Sequence, residues 1–293
     1  MCLHPLRGYR SFDRGESGKY AIRFDCKLHP ITFADRYLDV SCGQCIECRI
    51  SRARHWAVRC VHEAQMHDVS CFLTLTYAPE HIPPGGTLQP RDITLFFKRL
   101  RKFSDRPYRY FQAGEYGASL SRPHHHVILF GRPFPDKKII NSGSRYRYYV
   151  SDELSRLWPY GYHIIADCNY STIFYTARYC LKKITGPDAV DHYAGRQPEY
   201  ITMSRRPGIG RKWYDLYKSD LYPNDYAIVG DRKLSVPRYY DNILEVDDPD
   251  LLVSLKERRK ERAERYAADR TFDRSVVKSA CMEARFARHK NIG

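Results

Sequence analysis

Three consecutive histidines, His124, His125 and His126, open an apolar run that ends at Phe130. Successive side chains leave an extended strand on opposite faces, so His124 and His126 share one face and His125 takes the other. Two neutral imidazoles placed in this way can grip one metal ion. If Tyr108 to Ala113 and His124 to Phe130 pair as a hairpin, Glu115 sits at the turn near the start of the histidine strand. Its carboxylate then completes a His-x-His plus Glu set that leaves coordination positions open for a substrate oxygen. Without an ion the same residues are a solvated strand end and a decorated turn.

A second group is Tyr175, Tyr179, Lys182 and Lys183 in YTARYCLKK. On a helix these residues fall on one stripe, which would set two phenols beside two cations. With 24 tyrosines in the chain such pairs also arise by chance; Tyr222 and Tyr226 form another, interrupted by Pro223 and lacking the lysines. The third signal is Cys42-x2-Cys45-x2-Cys48, a spacing that suits a structural zinc, with Cys26, Cys60 or His29 as candidates for the fourth ligand. An iron–sulfur run would need a further cysteine where Arg52 stands. Buried free thiols are the plainer alternative. Arg205 and Arg206, with Gly208 and Gly210, form a basic, flexible loop suited to phosphate. No P-loop pattern occurs, so unwinding of DNA would fall to another protein.

The elements that must position these groups can be read in outline. A helix is expected from Ile46 to Met66, since Ile50, Ala53, Ala57, Val61 and Ala64 recur at helical spacing. Cys71 to Tyr77 and Tyr162 to Ala166 read as strands, like the two of the hairpin. Asp92 to Phe103, Tyr149 to Leu157 and Ser171 to Lys183 read as helices. The order β-α-β-β-α-β-α suits an antiparallel sheet with flanking helices, the α+β class. The first 40 residues show no sustained periodicity. Four segments are expected: a Cys-rich N-terminal part over 1–70, a core over 71–185, a basic Tyr- and Arg-rich extension with only short elements over 186–250, and a charged helical tail over 251–293.

Composition narrows the partners. Lys and Arg outnumber Asp and Glu by 49 to 34, a net charge of +15, which favours a polyanion and nucleic acid before membrane. Hydrophobic residues at 43% are enough for a core. There is neither an apolar run long enough to span a bilayer nor an apolar leader, so a soluble protein in a reducing cytoplasm is expected.

Taken together, CGQCIECR (42–49), FLTLTY (72–77), GEYG (114–117), RPHHHVILFG (122–131), YTARYCLKK (175–183) and MSRRPGIG (203–210) resemble the HUH superfamily of rolling-circle replication initiators. Within it the chain is most similar to the initiators of microviruses, the gokushoviruses among them. The resemblance implies an endonuclease and strand transferase acting on a single-stranded DNA origin in an infected bacterium. His124 and His126 would hold Mg2+ or Mn2+, a tyrosine would be the nucleophile, and Thr74, Thr76 and Tyr77 would lie near the nicked DNA. A host helicase and polymerase would be the partners. Two rivals use part of the pattern: a zinc-stabilised DNA-binding protein without catalysis, and a non-haem iron oxygenase built on two histidines and a carboxylate.

Overall fold

The structure, a computed structural model, describes residues 2–15, 20–24, 37–117, 120–141, 147–179, 183, 184, 186 and 188–290. The chain forms two compact units, residues 1–51 with 260–293 and residues 52–259. In the first unit, strands β1 (Leu6–Arg14), β2 (Tyr20–Arg23) and β3 (Tyr37–Val40) make an antiparallel sheet in the order β2-β1-β3. These strands were not expected from the sequence. They escape detection because the sheet buries no face: all four side chains of β2 are exposed, so no two-residue alternation of polar and apolar is imposed. The same unit holds the first residues of helix α1 (Ile46–Ala64), the end of α8 (Pro249–Arg265), and α9 (Phe272–Lys290).

The second unit is built on a seven-stranded sheet in the order β10-β5-β6-β4-β9-β8-β7, with every neighbouring pair antiparallel. Its strands are β4 (Ser70–Tyr77), β5 (Arg109–Tyr116), β6 (Pro123–Phe130), β7 (Lys138–Ile139), β8 (Tyr148–Val150), β9 (Gly161–Asp167) and β10 (Tyr200–Met203). Helices α2 (Pro90–Phe103), α3 (Asp152–Leu157), α4 (Tyr170–Arg178) and α5 (Asp188–Tyr193) accompany it. The α+β class with an antiparallel sheet and flanking helices is therefore what the chain adopts.

One face of the sheet packs on α2 and α3. Ile93, Phe96, Phe97 and Leu100 recur at positions one turn apart along α2 and meet Leu73, Leu75, Val127, Leu129 and Ile165 from the strands. Leu154, Leu157 and Trp158 close the same core. Each such side chain contributes about 2 kcal/mol on leaving water, so this face rigidifies the three central strands. Pro90 at the first helical position starts α2, and Ser151 caps α3 by accepting the Leu154 amide at 3.0 Å. The opposite face of the three central strands carries His124 and His126.

Residues 186–250 are more ordered than expected. Helices α6 (Arg211–Leu221) and α7 (Arg238–Asp247) and the hairpin β11 (Ala227–Val229) and β12 (Arg232–Leu234) build a second core around Trp213, Tyr214, Tyr240 and Leu244. Val58 of α1 and Leu252 and Leu255 of α8 join it. Tyr222 belongs to this core, its hydroxyl donating to Asp241 at 2.9 Å. Arg259 locks the arrangement by pairing with Asp225 and Asp241 together. Among the described residues no helix is long and apolar enough to cross a membrane.

Candidate active site

The hairpin of β5 and β6 sets the metal-capable residues. Glu115 stands directly opposite His124, and Ala113 opposite His126. Strand β5 runs on to Tyr116, so Glu115 is a buried strand residue and not the turn residue the sequence suggested. On the other side of β6, Thr74 faces His126 and Thr76 faces His124. Cross-strand partners share a face, so all five groups look the same way.

The donor atoms converge. His124 Nε2 lies 2.7 Å from Glu115 Oε1 and 3.1 Å from His126 Nε2, and His126 Nε2 is 3.2 Å from the same carboxylate oxygen. Three ligands about 2.1 Å from one octahedral ion, at right angles to one another, stand about 3.0 Å apart, so this triangle fits a divalent cation. Proton placement points the same way. His124 Nδ1 lies 3.0 Å from the carbonyl of Arg122, which can only accept, so Nδ1 carries the proton. A neutral His124 then turns a lone pair toward a carboxylate, which is tolerable only with a positive charge between them. Burial works against ionisation of Glu115, but hydrogen bonding and positive charge at the two imidazoles outweigh it and hold the carboxyl well below the usual range.

Thr74, expected as a DNA contact, has a different partner: its Oγ1 is 3.1 Å from His126 Nδ1. Accepting that N–H leaves Nε2 free to bind an ion and fixes the ring orientation. Replacing Thr74 by valine keeps the shape and removes the acceptor. Isothermal titration of Mn2+ into Thr74→Val is expected to show about 10- to 100-fold weaker binding, and unchanged affinity would contradict this role.

Helix α4 lies against the same sheet face. Asn169 starts it with a reciprocal cap, accepting the Thr172 amide at 3.1 Å while Thr172 Oγ1 accepts the Asn169 amide at 3.0 Å. This fixes the helix phase and places Tyr175 edge-on to His126, with ring centroids 5.1 Å apart. Tyr179 stacks on the same imidazole at 4.9 Å with planes 8° apart. Phe72 completes the aromatic enclosure, 5.3 Å from His126. Tyr175 is partly exposed and Tyr179 is buried. Burial, then the Glu115 carboxylate and Tyr175, push the Tyr179 phenol far up; burial also raises Tyr175.

The helix stops sooner than expected. It ends at Arg178, Tyr179 is its C-cap, and Lys183 lies beyond it, exposed. Lys182 falls outside the described residues. The stripe of two tyrosines and two lysines is therefore not formed as one helical face; the cation beside the phenols is Arg178, 5.7 Å over the Tyr175 ring.

Other expected contacts divide between the two faces. Tyr77 is fully buried on the α2 side, donating to Asp92 at 2.9 Å, so it does not line the histidine face. His125 is buried beside it, 3.1 Å from Gln112. Thr76 faces the site side, paired across the sheet with Tyr162, which is 63% exposed. Arg205 and Arg206 are exposed just beyond edge strand β10. Their loop is held rather than flexible: buried Glu63 accepts the Gly210 amide at 2.7 Å, and Arg59 donates to the Ile209 carbonyl at 3.0 Å. Gly210 there has φ 78°, a conformation that favours glycine. Thr74, Glu63 and Tyr162 carry no motif of their own, and cross-strand register or packing alone reveals them. In the first unit, Cys42, Cys45 and Cys48 are brought together with Cys2. Cys60 is buried elsewhere on α1, and Cys26 and His29 fall outside the described residues.

An antiparallel α+β sheet whose centre presents two histidines and a glutamate, under a helix bearing tyrosines, defines a class of protein with a metal-capable and phenol-bearing site. Comparison with known proteins adds the family. The family model for the replication-associated protein ORF2 matches residues 70–184, the stretch that contains this site. The chain is 31% identical over 299 residues to replication-associated protein ORF2 of Spiroplasma virus 4, spanning 95% of this chain and 90% of that protein. It is 34% identical over 219 residues to replication-associated protein VP4 of Bdellovibrio phage phiMH2K, spanning 71% and 68%. Identity to replication-associated protein ORF4 of Chlamydia phage 1 is 30% over 214 residues, 69% and 53% of the two chains. The chain belongs to this family of microvirus replication-associated proteins. No solved structure matches it.

Proposed function

We propose that this chain initiates rolling-circle replication as an HUH-type endonuclease, nicking single-stranded origin DNA in the infected bacterial cytoplasm and later rejoining the strand. The observation that carries the reading is the packing of Tyr175 and Tyr179 on His126, the imidazole that also belongs to the triangle with His124 and Glu115. Nucleophile and metal ligands thus share one side chain as a wall. Membership in a family of phage replication-associated proteins and the +15 charge point to the same substrate.

In this reading His124, His126 and Glu115 hold Mg2+ or Mn2+, which when bound polarises a nonbridging phosphate oxygen and offsets charge in the transition state. The tyrosine Oη forms a bond to phosphorus in line with the departing 3′-oxygen. The P–O3′ bond breaks, the phenolic proton is lost to solvent, and the 3′-oxygen takes one up. The products are a 5′-phosphotyrosine and a free 3′-hydroxyl for a host polymerase. The covalent link retains the energy of the broken bond, so rejoining needs no nucleotide, in keeping with the lack of a P-loop. A host helicase would unwind the duplex. Two phenols at one site allow alternate attack, one holding the parental end while the other cuts the completed turn. Exposed Tyr162 offers a base-stacking surface beside Thr76, and Arg205 and Arg206 offer phosphate contacts. Arg178 is the near cation for the phenols, with Lys182 and Lys183 in the segment that follows.

The test uses the full chain with single-stranded oligonucleotides tiling the genome that encodes it, in Mg2+ or Mn2+. A denaturation-resistant adduct that maps to Tyr175 or Tyr179 and disappears with EDTA is expected. An oxygenase or a passive DNA binder would give none.

A further inference from the structure

We propose that Cys2, Cys42, Cys45 and Cys48 form a tetrathiolate zinc site that staples the first unit, independently of what the tyrosine site does. Cys2 supplies the ligand that spacing could not identify, 40 residues before its nearest partner in the sequence. Its Sγ lies 3.5 Å from Cys42 Sγ and 3.8 Å from Cys45 Sγ, and all four sulfurs fall within 4.8 Å of one another. Four thiolates about 2.3 Å from one tetrahedral zinc stand about 3.8 Å apart, so the cluster is sized for a single ion. Sulfurs this close leave no room for an iron–sulfur cluster.

The backbone is already arranged to support thiolates. The Cys42 amide points at Cys2 Sγ at 3.3 Å, and the Cys45 amide at Cys42 Sγ at 3.2 Å. Such N–H contacts spread the charge of metal-bound sulfur and orient the ligands.

The position explains what the ion would do. Cys2 precedes β1, Cys42 follows β3, and Cys45 and Cys48 flank the start of α1. Among described residues 2–45 no apolar side chain is fully buried, and Leu6, Tyr20, Ile22, Phe24 and Tyr37 are exposed. A three-stranded sheet without a core is not stable by burial alone and needs a staple. One ion joining its two ends to a helix start provides it.

Zinc content is measured on the full chain carrying His124→Ala and His126→Ala, so that only the cysteines contribute. About one zinc per chain is expected, with its loss on Cys2→Ser as complete as on Cys48→Ser. Absence of zinc after expression in zinc-supplemented medium, or its retention in Cys2→Ser, would overturn the proposal. Because these variants can misfold, the unaltered chain is also alkylated under native conditions and mapped by mass spectrometry. Exposed Cys281 should react first, and the four cysteines at least about tenfold more slowly until a strong chelator is added. Equal reactivity without chelator, or disulfides among the four, would overturn it as well.

Discussion

A chain carrying both Tyr175→Phe and Tyr179→Phe is expected to form no covalent adduct with single-stranded DNA, a fall of at least about four orders of magnitude in nicking rate. Phenylalanine keeps the rings that pack on His126 and removes only the hydroxyls, so Mn2+ affinity and DNA binding should persist. The single variants should differ, because the two phenols are not in equivalent surroundings. Tyr175 is partly exposed and open to an entering phosphate, whereas Tyr179 is buried. Tyr175→Phe should therefore abolish first cleavage, and Tyr179→Phe should cleave but fail in the second transfer. Rates from a denaturing gel with a labelled oligonucleotide check this. An adduct persisting in the double variant would show that neither residue is the nucleophile.

Acid should destabilise the protein well above the range where carboxylates titrate. His62 is buried, stacked on Trp213 with centroids 3.5 Å apart and 3.0 Å from the Tyr240 hydroxyl, and burial takes its pKa down to about 3. His125 is lowered to about 3 as well, first by burial in the other core and then by the positive charge of His124 and His126. In the unfolded chain both titrate near 6.5. Between these values the unfolded state binds more protons, so stability falls as pH falls through 6.5 and continues to fall toward 3. Each imidazole costs about 2 kcal/mol between pH 7 and pH 5, about 4 kcal/mol for the pair. Urea unfolding at pH 7, 6 and 5 measures this, and His62→Phe should remove roughly half of the slope. A flat profile down to pH 5 would mean that one or both rings are protonated in the folded state.

Local signals carried much of the nuclease-like core. The apolar repeat of α2, the hairpin pair and the strand Ser70–Tyr77 are visible because each buries one face, and burial writes period into sequence. The small sheet of the first unit left no such trace, since it buries none. Helices α6 and α7 were obscured because tyrosines serve there as both core and surface residues. The end of α4 at Arg178, short of the lysines, was equally invisible, because no glycine or proline stands between Arg178 and Gly186 to mark it.

The histidine pair declares itself by the alternation of strand faces, a property of the backbone that any extended segment obeys. Its partners do not. Whether Glu115 meets His124, whether Thr74 buttresses His126, and whether Cys2 reaches Cys42 depend on register and on closure of long chain segments. Those follow from packing summed over many side chains, so chemical type and periodicity could be read along the chain, while the company each reactive group keeps was settled only in three dimensions.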